Sequence, residues 1–429
     1  MSEESGIRDQ GKGIGDRGYA PPIHRLSSAV RRLSSLVRRY EVPLAIWLGA
    51  RVGLSLLAFV AGLFLPSLPP GGTAPYPAPV LPVVWDRLLG VWAHWDGLWY
   101  LQIATAGFAP HNGTTGFLPL YPWLVGALGF LLGGRVLWAG VVLSSAAFLA
   151  ALVLLWDLVR GDDGAGDGAA DRSVLYLTLF PTAFFFWAVY GEGLFLLLAA
   201  GRFAAARRGR GWLAAACRAG ALLTRPLGVA LVLPLVWEMA IAARGSRHPA
   251  AAAETAPAPS FRLRDVLTWS LPAGAIAGLL GWAGLTLGNP LAYLTSQADW
   301  NRSFRLPWET VVSAWQEAQA TPFAFQVESQ SWAYLVTLAL FAVLAIAGWW
   351  VLRGPLALYL TLGVLFPLIS GTPHNPLLSY SRQVIVLFPA FIVLAHAGRR
   401  RPVHAVIAIA SALLLALFLI RFANWYWVA

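Results

Sequence analysis

Cysteine is almost absent: Cys217 is the only one in 429 residues, which excludes an internal disulfide and a thiol-rich metal site and leaves it as a small core residue. Charge is scarce as well. Charged residues make up 12% against 58% hydrophobic, and the mean hydropathy of +0.63 excludes a soluble globule of this length. The apolar runs do not alternate, which excludes barrel strands. No apolar core precedes Leu44, so no cleavable signal peptide is read at the start, and residues 1–40 are expected to form a basic, disordered cytoplasmic tail. No internal repeat is visible.

Apolar stretches of roughly 16–22 residues recur instead, about the length that crosses a hydrocarbon core of roughly 30 Å. The chain reads as an all-α polytopic membrane protein, with residues 41–429 as one membrane domain and about eleven crossings. The net charge of +11 does not point to nucleic acid, because the arginines stand in short clusters between apolar runs. Arg31, Arg32, Arg38 and Arg39, then Arg207, Arg208 and Arg210, Arg244, Arg247, Arg262 and Arg264, and Arg399, Arg400 and Arg401 read as topology signals that face the cytoplasm. Residues 66–82 form an external loop, and residues 249–260 a cytoplasmic linker. Residues 85–106 have the composition of a helix lying in the interface. Full crossings by both 117–132 and 136–155 would put the Arg207 cluster outside, so 117–132, interrupted by proline, is expected to be interfacial or re-entrant.

With that topology the turns at Tyr190-Gly191-Glu192, at Thr224-Arg225-Pro226, over 289–330 and over 370–382 share the outer face with the run His94-Trp95-Asp96-Gly97. A carboxylate at a membrane boundary is costly to desolvate and is kept more often for chemistry or transport than for packing. Asp96 therefore reads either as a general base or as an interfacial cap of a helix over 97–106. His94 either orients that base or is satisfied by water. Glu192 suits an acceptor, a metal or plain solvation. Arg225 suits a phosphate contact or a snorkelling role. Arg382, with His374, Asn375, Tyr380 and Ser381, forms a polar hairpin end suited to a lipid phosphate. Asp299, Arg302 and Arg305 read as structural or acceptor-facing. A metal site from His94, Asp96 and His111 matches no compact ligand spacing, so neither metal nor cofactor is expected. Phe184-Phe185-Phe186-Trp187 reads as an aromatic platform for sugar or prenyl chain, or as lipid-facing packing.

At these residues the chain resembles the PIG-V-like mannosyltransferases. The resemblance is carried in order by His94-Trp95-Asp96-Gly97 with Ile103-Ala104-Thr105-Ala106-Gly107-Phe108, by Phe117-Leu118-Pro119-Leu120-Tyr121-Pro122, and by Phe180-Pro181-Thr182-Ala183-Phe184 with Tyr190-Gly191-Glu192-Gly193. It continues through Thr224-Arg225-Pro226, Gly288-Asn289-Pro290 with Gln297-Ala298-Asp299-Trp300, and Ser381-Arg382-Gln383-Val384. Pro226, Leu227 and Gly191 depart from the family pattern. The resemblance implies the GT-C fold with interfacial helices in the first external loop. It further implies Asp96 as catalytic base, and His94, Trp95, Glu192, Arg225, His374 and Arg382 as substrate-binding residues. The implied partners are a polyprenyl-phosphate mannose donor, a glycan or glycolipid acceptor and the lipid bilayer. The expected location is a bacterial plasma membrane with the active site outside the cytoplasm. Transfer of another lipid-linked sugar, such as arabinose or glucose, is the alternative within the fold. A transporter or flippase is the alternative outside it, disfavoured because the unusual charges gather at one face rather than near the midplane.

Overall fold

The computed structural model describes residues 34–68, 83–162, 166, 168–234, 236–238, 263–320 and 331–428. The linker read at 249–260, most of the loop read at 66–82 and residues 1–33 of the basic tail lie outside the described residues. Residues 34–39 are helical. Among the described residues five helices are long and apolar enough to cross a membrane: Glu41–Phe64, Val136–Arg160, Ser270–Leu287, Ser331–Val351 and Arg401–Ala423. At about 1.5 Å of rise per residue each can cover most or all of a core of roughly 30 Å. Their outward faces carry bare Val52, Leu56, Val343, Ile346, Ile409 and Leu413. Such a continuous apolar exterior is stable against lipid and unstable against water. The chain is an all-α integral membrane protein.

Inside this shell shorter helices form the packed core. Glu192–Arg207 lies against Val136–Arg160 and Gly211–Thr224, while Phe388–Ala397 packs on Ala169–Leu179 and Ser331–Val351. The apolar run over 174–189 is not one helix. It stops at Leu179, turns at Pro181 and resumes as a short 3-10 segment over Ala183–Phe186, because proline lacks the N–H that a continuing helix requires. Leu120–Leu131 has 12 residues, a rise of about 18 Å that falls short of a full crossing.

Two expectations need correction. The stretch 85–106 is not one interfacial helix but three pieces, Val83–Leu88, Gly90–Ala93 and Asp96–Ala106, and Trp92, Ala93 and Leu101 are fully buried. The break falls at Trp95, whose φ of 58° cannot continue a right-handed helix. The run Phe184 to Trp187 is neither an open platform nor lipid-facing. All four side chains are buried, with Phe186 stacked on Phe148 and Phe184 against Phe422.

Both ends of the bundle carry ion pairs. At one end Arg39 and Arg208 share Asp157, and Arg353 pairs with Asp162. Glu192–Arg207 runs from that end, where Arg207 donates to the carbonyl of Leu158, to the opposite end, where it begins at Glu192.

Candidate active site

Asp96 is the first residue of its helix, Asp96–Ala106, where the helix dipole favours a negative charge. The peptide leading into it is held by one side chain. The Tyr190 hydroxyl accepts a hydrogen bond from the Asp96 N–H at 3.0 Å and donates to the His94 carbonyl at 2.9 Å. On the other side, His94 stacks on Trp425 at 3.8 Å and its Nδ1 lies 3.0 Å from the Phe422 carbonyl oxygen. Trp95 meets Trp427 edge-on. The chain's last aromatic residues thus brace the Asp96 turn from outside. Burial pushes the His94 imidazolium down to about 4, although the carbonyl of Phe422 works against that shift.

Glu192 likewise opens a helix, Glu192–Arg207, and is 2% exposed. Gly193 behind it is required by close approach: a Cβ there would stand 2.9 Å from the Ser144 carbonyl oxygen. Arg225 ends the Gly211–Thr224 helix in extended conformation, before Pro226 starts a 3-10 turn. That geometry delivers its guanidinium to Glu192, with which it forms an ion pair. Arg382, on the short helix Tyr380–Val384, donates from Nη1 to Asp96 Oδ2 at 2.6 Å and places Nε 3.5 Å from Glu192 Oε1.

The result is an unbroken chain, Asp96–Arg382–Glu192–Arg225, of two carboxylates and two guanidiniums. Burial alone would weaken the Arg382 cation, but Asp96 and Glu192 together outweigh it and hold Arg382 above its ordinary range. The Tyr190 and Phe185 rings flank the same guanidinium at 5.4 and 5.6 Å, within cation–π reach. Three valences of the cluster stay open among the described residues: Asp96 Oδ1 accepts no hydrogen bond, and buried Glu192 Oε2 and Arg382 Nε have no hydrogen-bond partner.

Beside this cluster lies a pocket of about 370 Å³ lined by Arg225, Tyr293, Gln297, Arg302, Tyr380 and Gln383 among others. Tyr293 and Leu294 also belong to a smaller apolar groove of about 130 Å³ that runs along Phe108, Phe117, Trp282 and Leu287. A largely apolar pocket with two arginines on its wall therefore adjoins an apolar track on the Ser270–Leu287 helix. Asp96 does not line the pocket; it reaches the wall through Arg382, Glu192 and Arg225.

Of the residues singled out from sequence, the structure joins Asp96, Glu192, Arg225 and Arg382. Arg302 and Tyr380 line the adjoining pocket, and the others stand apart. His94 and Trp95 turn toward the C-terminal aromatics, and His374 is exposed with no hydrogen bond or ion pair to the cluster. Asp299 is exposed and Arg305 donates to Ser313. Sequence reasoning gave no separate role to Tyr190, Gln383 or the pocket-facing side of Arg302. Tyr190 and Gln383 were within sight as neighbours of Glu192 and Arg382 in their motifs, and Arg302 was noted only as structural or acceptor-facing. Among the described residues no three of His, Cys, Asp and Glu gather as metal ligands.

Residues 74–234 match the family model described as Mannosyltransferase (PIG-V). That stretch holds Asp96, Glu192 and Arg225 and ends before Arg302 and Arg382. No curated protein matches the chain. The match supports the PIG-V-like mannosyltransferase family, and with it a glycosyltransferase of the membrane that takes sugar donor and acceptor substrates.

Proposed function

We propose that this chain is an inverting mannosyltransferase of the GT-C type, moving mannose from polyprenyl-phosphate mannose to a hydroxyl of a lipid-linked or cell-surface glycan. Asp96 is its general base. The observation that carries the reading is the charge chain ending in Asp96, beside a pocket that passes from arginines into an apolar groove. A donor with a phosphate head and a prenyl tail has that same division of polarity.

In the proposed reaction the acceptor hydroxyl meets the open Oδ1 of Asp96. Its oxygen attacks the anomeric carbon of mannose while its proton passes to the carboxylate, a step worth roughly 10²–10⁴ in rate. The bond from the anomeric carbon to the phosphate oxygen breaks, and polyprenyl phosphate leaves with the electron pair. Inversion requires only this one base. Arg225, on the pocket wall, offsets the charge that gathers on the departing phosphate. Arg382 fixes the other carboxylate oxygen, so the base presents one geometry instead of several rotamers. Glu192 keeps the two arginines apart and aligned.

The arginine-rich end of the bundle is assigned to the cytoplasm by the positive-inside rule, which puts Asp96 on the outer face of a bacterial plasma membrane. About eleven crossings, several of them short, complete the domain over residues 41–429, with 1–40 as its cytoplasmic tail.

The test is transfer activity in membranes supplied with a panel of labelled donors: polyprenyl-phosphate mannose, the glucose and arabinose equivalents, and nucleotide sugars. Label should move from the mannose lipid. Preference for arabinose or glucose lipid would overturn the sugar assignment, turnover of nucleotide sugar would overturn the lipid donor, and no transfer from any of them would overturn the reading.

A further inference from the structure

The charge chain is neutral by itself. Asp96 and Glu192 balance Arg382 and Arg225, so the four residues offer an incoming anion no net attraction. The pocket wall, however, carries a fifth charge. Arg302 lines the same pocket as Arg225, and among the described residues no carboxylate pairs with it. Its side chain finds only the neutral Gln297 Oε1, at 3.5 Å.

The fold holds Arg302 in that position by backbone. Its N–H donates to the Gln297 carbonyl at 2.9 Å, and the preceding Asn301 adopts a left-handed φ of 53°, a conformation asparagine tolerates better than most residues. The next two residues, Ser303–Phe304, form an antiparallel ladder with Ser370–Gly371. That ladder ties Arg302 to the segment that leads into Arg382. Burial lowers the hold of the Arg302 guanidinium on its proton; Arg382 and Arg225 add to the effect, while Tyr293 and Asp96 work against it. A positive charge in that setting is stabilised by an anion.

We infer that Arg302 is the donor-positioning residue that receives the phosphodiester of a prenyl-phosphate sugar. Five charges sum to one surplus positive charge, and a phosphodiester between a prenyl chain and a sugar carries one negative charge. The apolar groove sharing Tyr293 and Leu294 with the pocket then takes the first isoprene units of the same molecule. The inference rests on the lipid-phosphate donor proposed above, and assigns the charge match to a residue outside the matched family stretch.

The experiment uses the purified full-length enzyme as wild type, Arg302→Gln and Arg302→Lys. Initial rates are measured against polyprenyl-phosphate mannose and against acceptor, and binding of the farnesyl phosphate monomethyl ester, a prenyl phosphodiester without sugar, is followed by calorimetry. A charge-assisted contact to phosphate predicts that Arg302→Gln raises both the donor KM and the Kd of the diester by about tenfold or more. The acceptor KM should stay within about twofold, and Arg302→Lys, which restores the charge as a point charge, should recover part of the donor affinity. A merely structural role would move both KM values together and would not be rescued by lysine. Unchanged diester binding in Arg302→Gln, or lysine no better than glutamine, overturns the assignment. Wild-type enzyme that binds the diester but transfers no sugar overturns the transferase reading and leaves the diester site standing.

Discussion

Removing both partners of the Asp96–Arg382 pair should cost less than the sum of removing each alone. The cluster of Asp96, Glu192, Arg225 and Arg382 is neutral, and the Arg382 and Asp96 side chains are 10% and 17% exposed. Arg382→Gln leaves two carboxylates facing each other with a net charge of −1 against Arg225 alone, a broken buried pair of the kind that costs about 3–5 kcal/mol. Asp96→Asn leaves the opposite imbalance, but Arg382 keeps Glu192 at 3.5 Å, so its cost should be smaller, about 1–3 kcal/mol. The double variant returns the cluster to neutrality with two amides that can hydrogen-bond. Its loss should fall below the sum of the single losses by roughly 2 kcal/mol, within the range of contacting charged pairs. The assay is reversible unfolding in mixed micelles followed by tryptophan fluorescence for all four proteins. Additivity within about 0.5 kcal/mol would refute the charge-balance argument, as would Arg382→Gln as stable as wild type.

Tyr190→Phe removes the hydroxyl that joins the Asp96 N–H and the His94 carbonyl; about 1–3 kcal/mol of stability should be lost, with a fall in kcat larger than any change in donor KM, both read from the purified variant. Gly193→Ala places a methyl 2.9 Å from the Ser144 carbonyl oxygen, and overpacking of that kind should cost about 1–3 kcal/mol in the same unfolding assay. His94 makes stability depend on pH: its imidazole is neutral in the folded chain down to about 4 but takes a proton near 6.5 when unfolded. Stability from this group is therefore complete above about 6.5 and falls as the pH drops toward 4, by roughly 3 kcal/mol in all. His94→Gln should flatten that segment of the stability–pH curve, and an unchanged slope would show that His94 is not the group responsible.

The class of the fold was legible because composition and run length are global properties. The helix ends were less so. An apolar run such as 174–189 carries no sign of where it breaks except Pro181, and a helix buried on all sides has no polar face to give it a period. The break before Asp96 had one local sign, an aspartate placed to cap a helix over 97–106, but the left-handed turn at Trp95 had none, since it depends on how His94 and Trp95 pack against Trp425 and Trp427, more than three hundred residues later in the chain. The site was legible in part for the opposite reason. Asp96, Glu192, Arg225 and Arg382 are ionisable residues at the ends of apolar runs, where charge is expensive enough to draw notice one residue at a time. Their linkage was not visible, because four separate helix ends have to converge. His374 shared the polar hairpin end with Arg382, yet it remains exposed while Arg382 turns inward. Arg302 stood in a loop with several polar residues, and only the ladder from Ser303–Phe304 to Ser370–Gly371 sets it beside the pocket.

The measurement that bears most directly on the proposed base is the kcat of Asp96→Asn for mannose transfer from polyprenyl-phosphate mannose, with donor binding measured in the same preparation. Asparagine keeps the size of the side chain and a carbonyl oxygen for Arg382, but cannot take up the hydroxyl proton. A fall in kcat of about 10²-fold or more with donor still bound is expected. Turnover within a few-fold of wild type would contradict the assignment of Asp96 as the base.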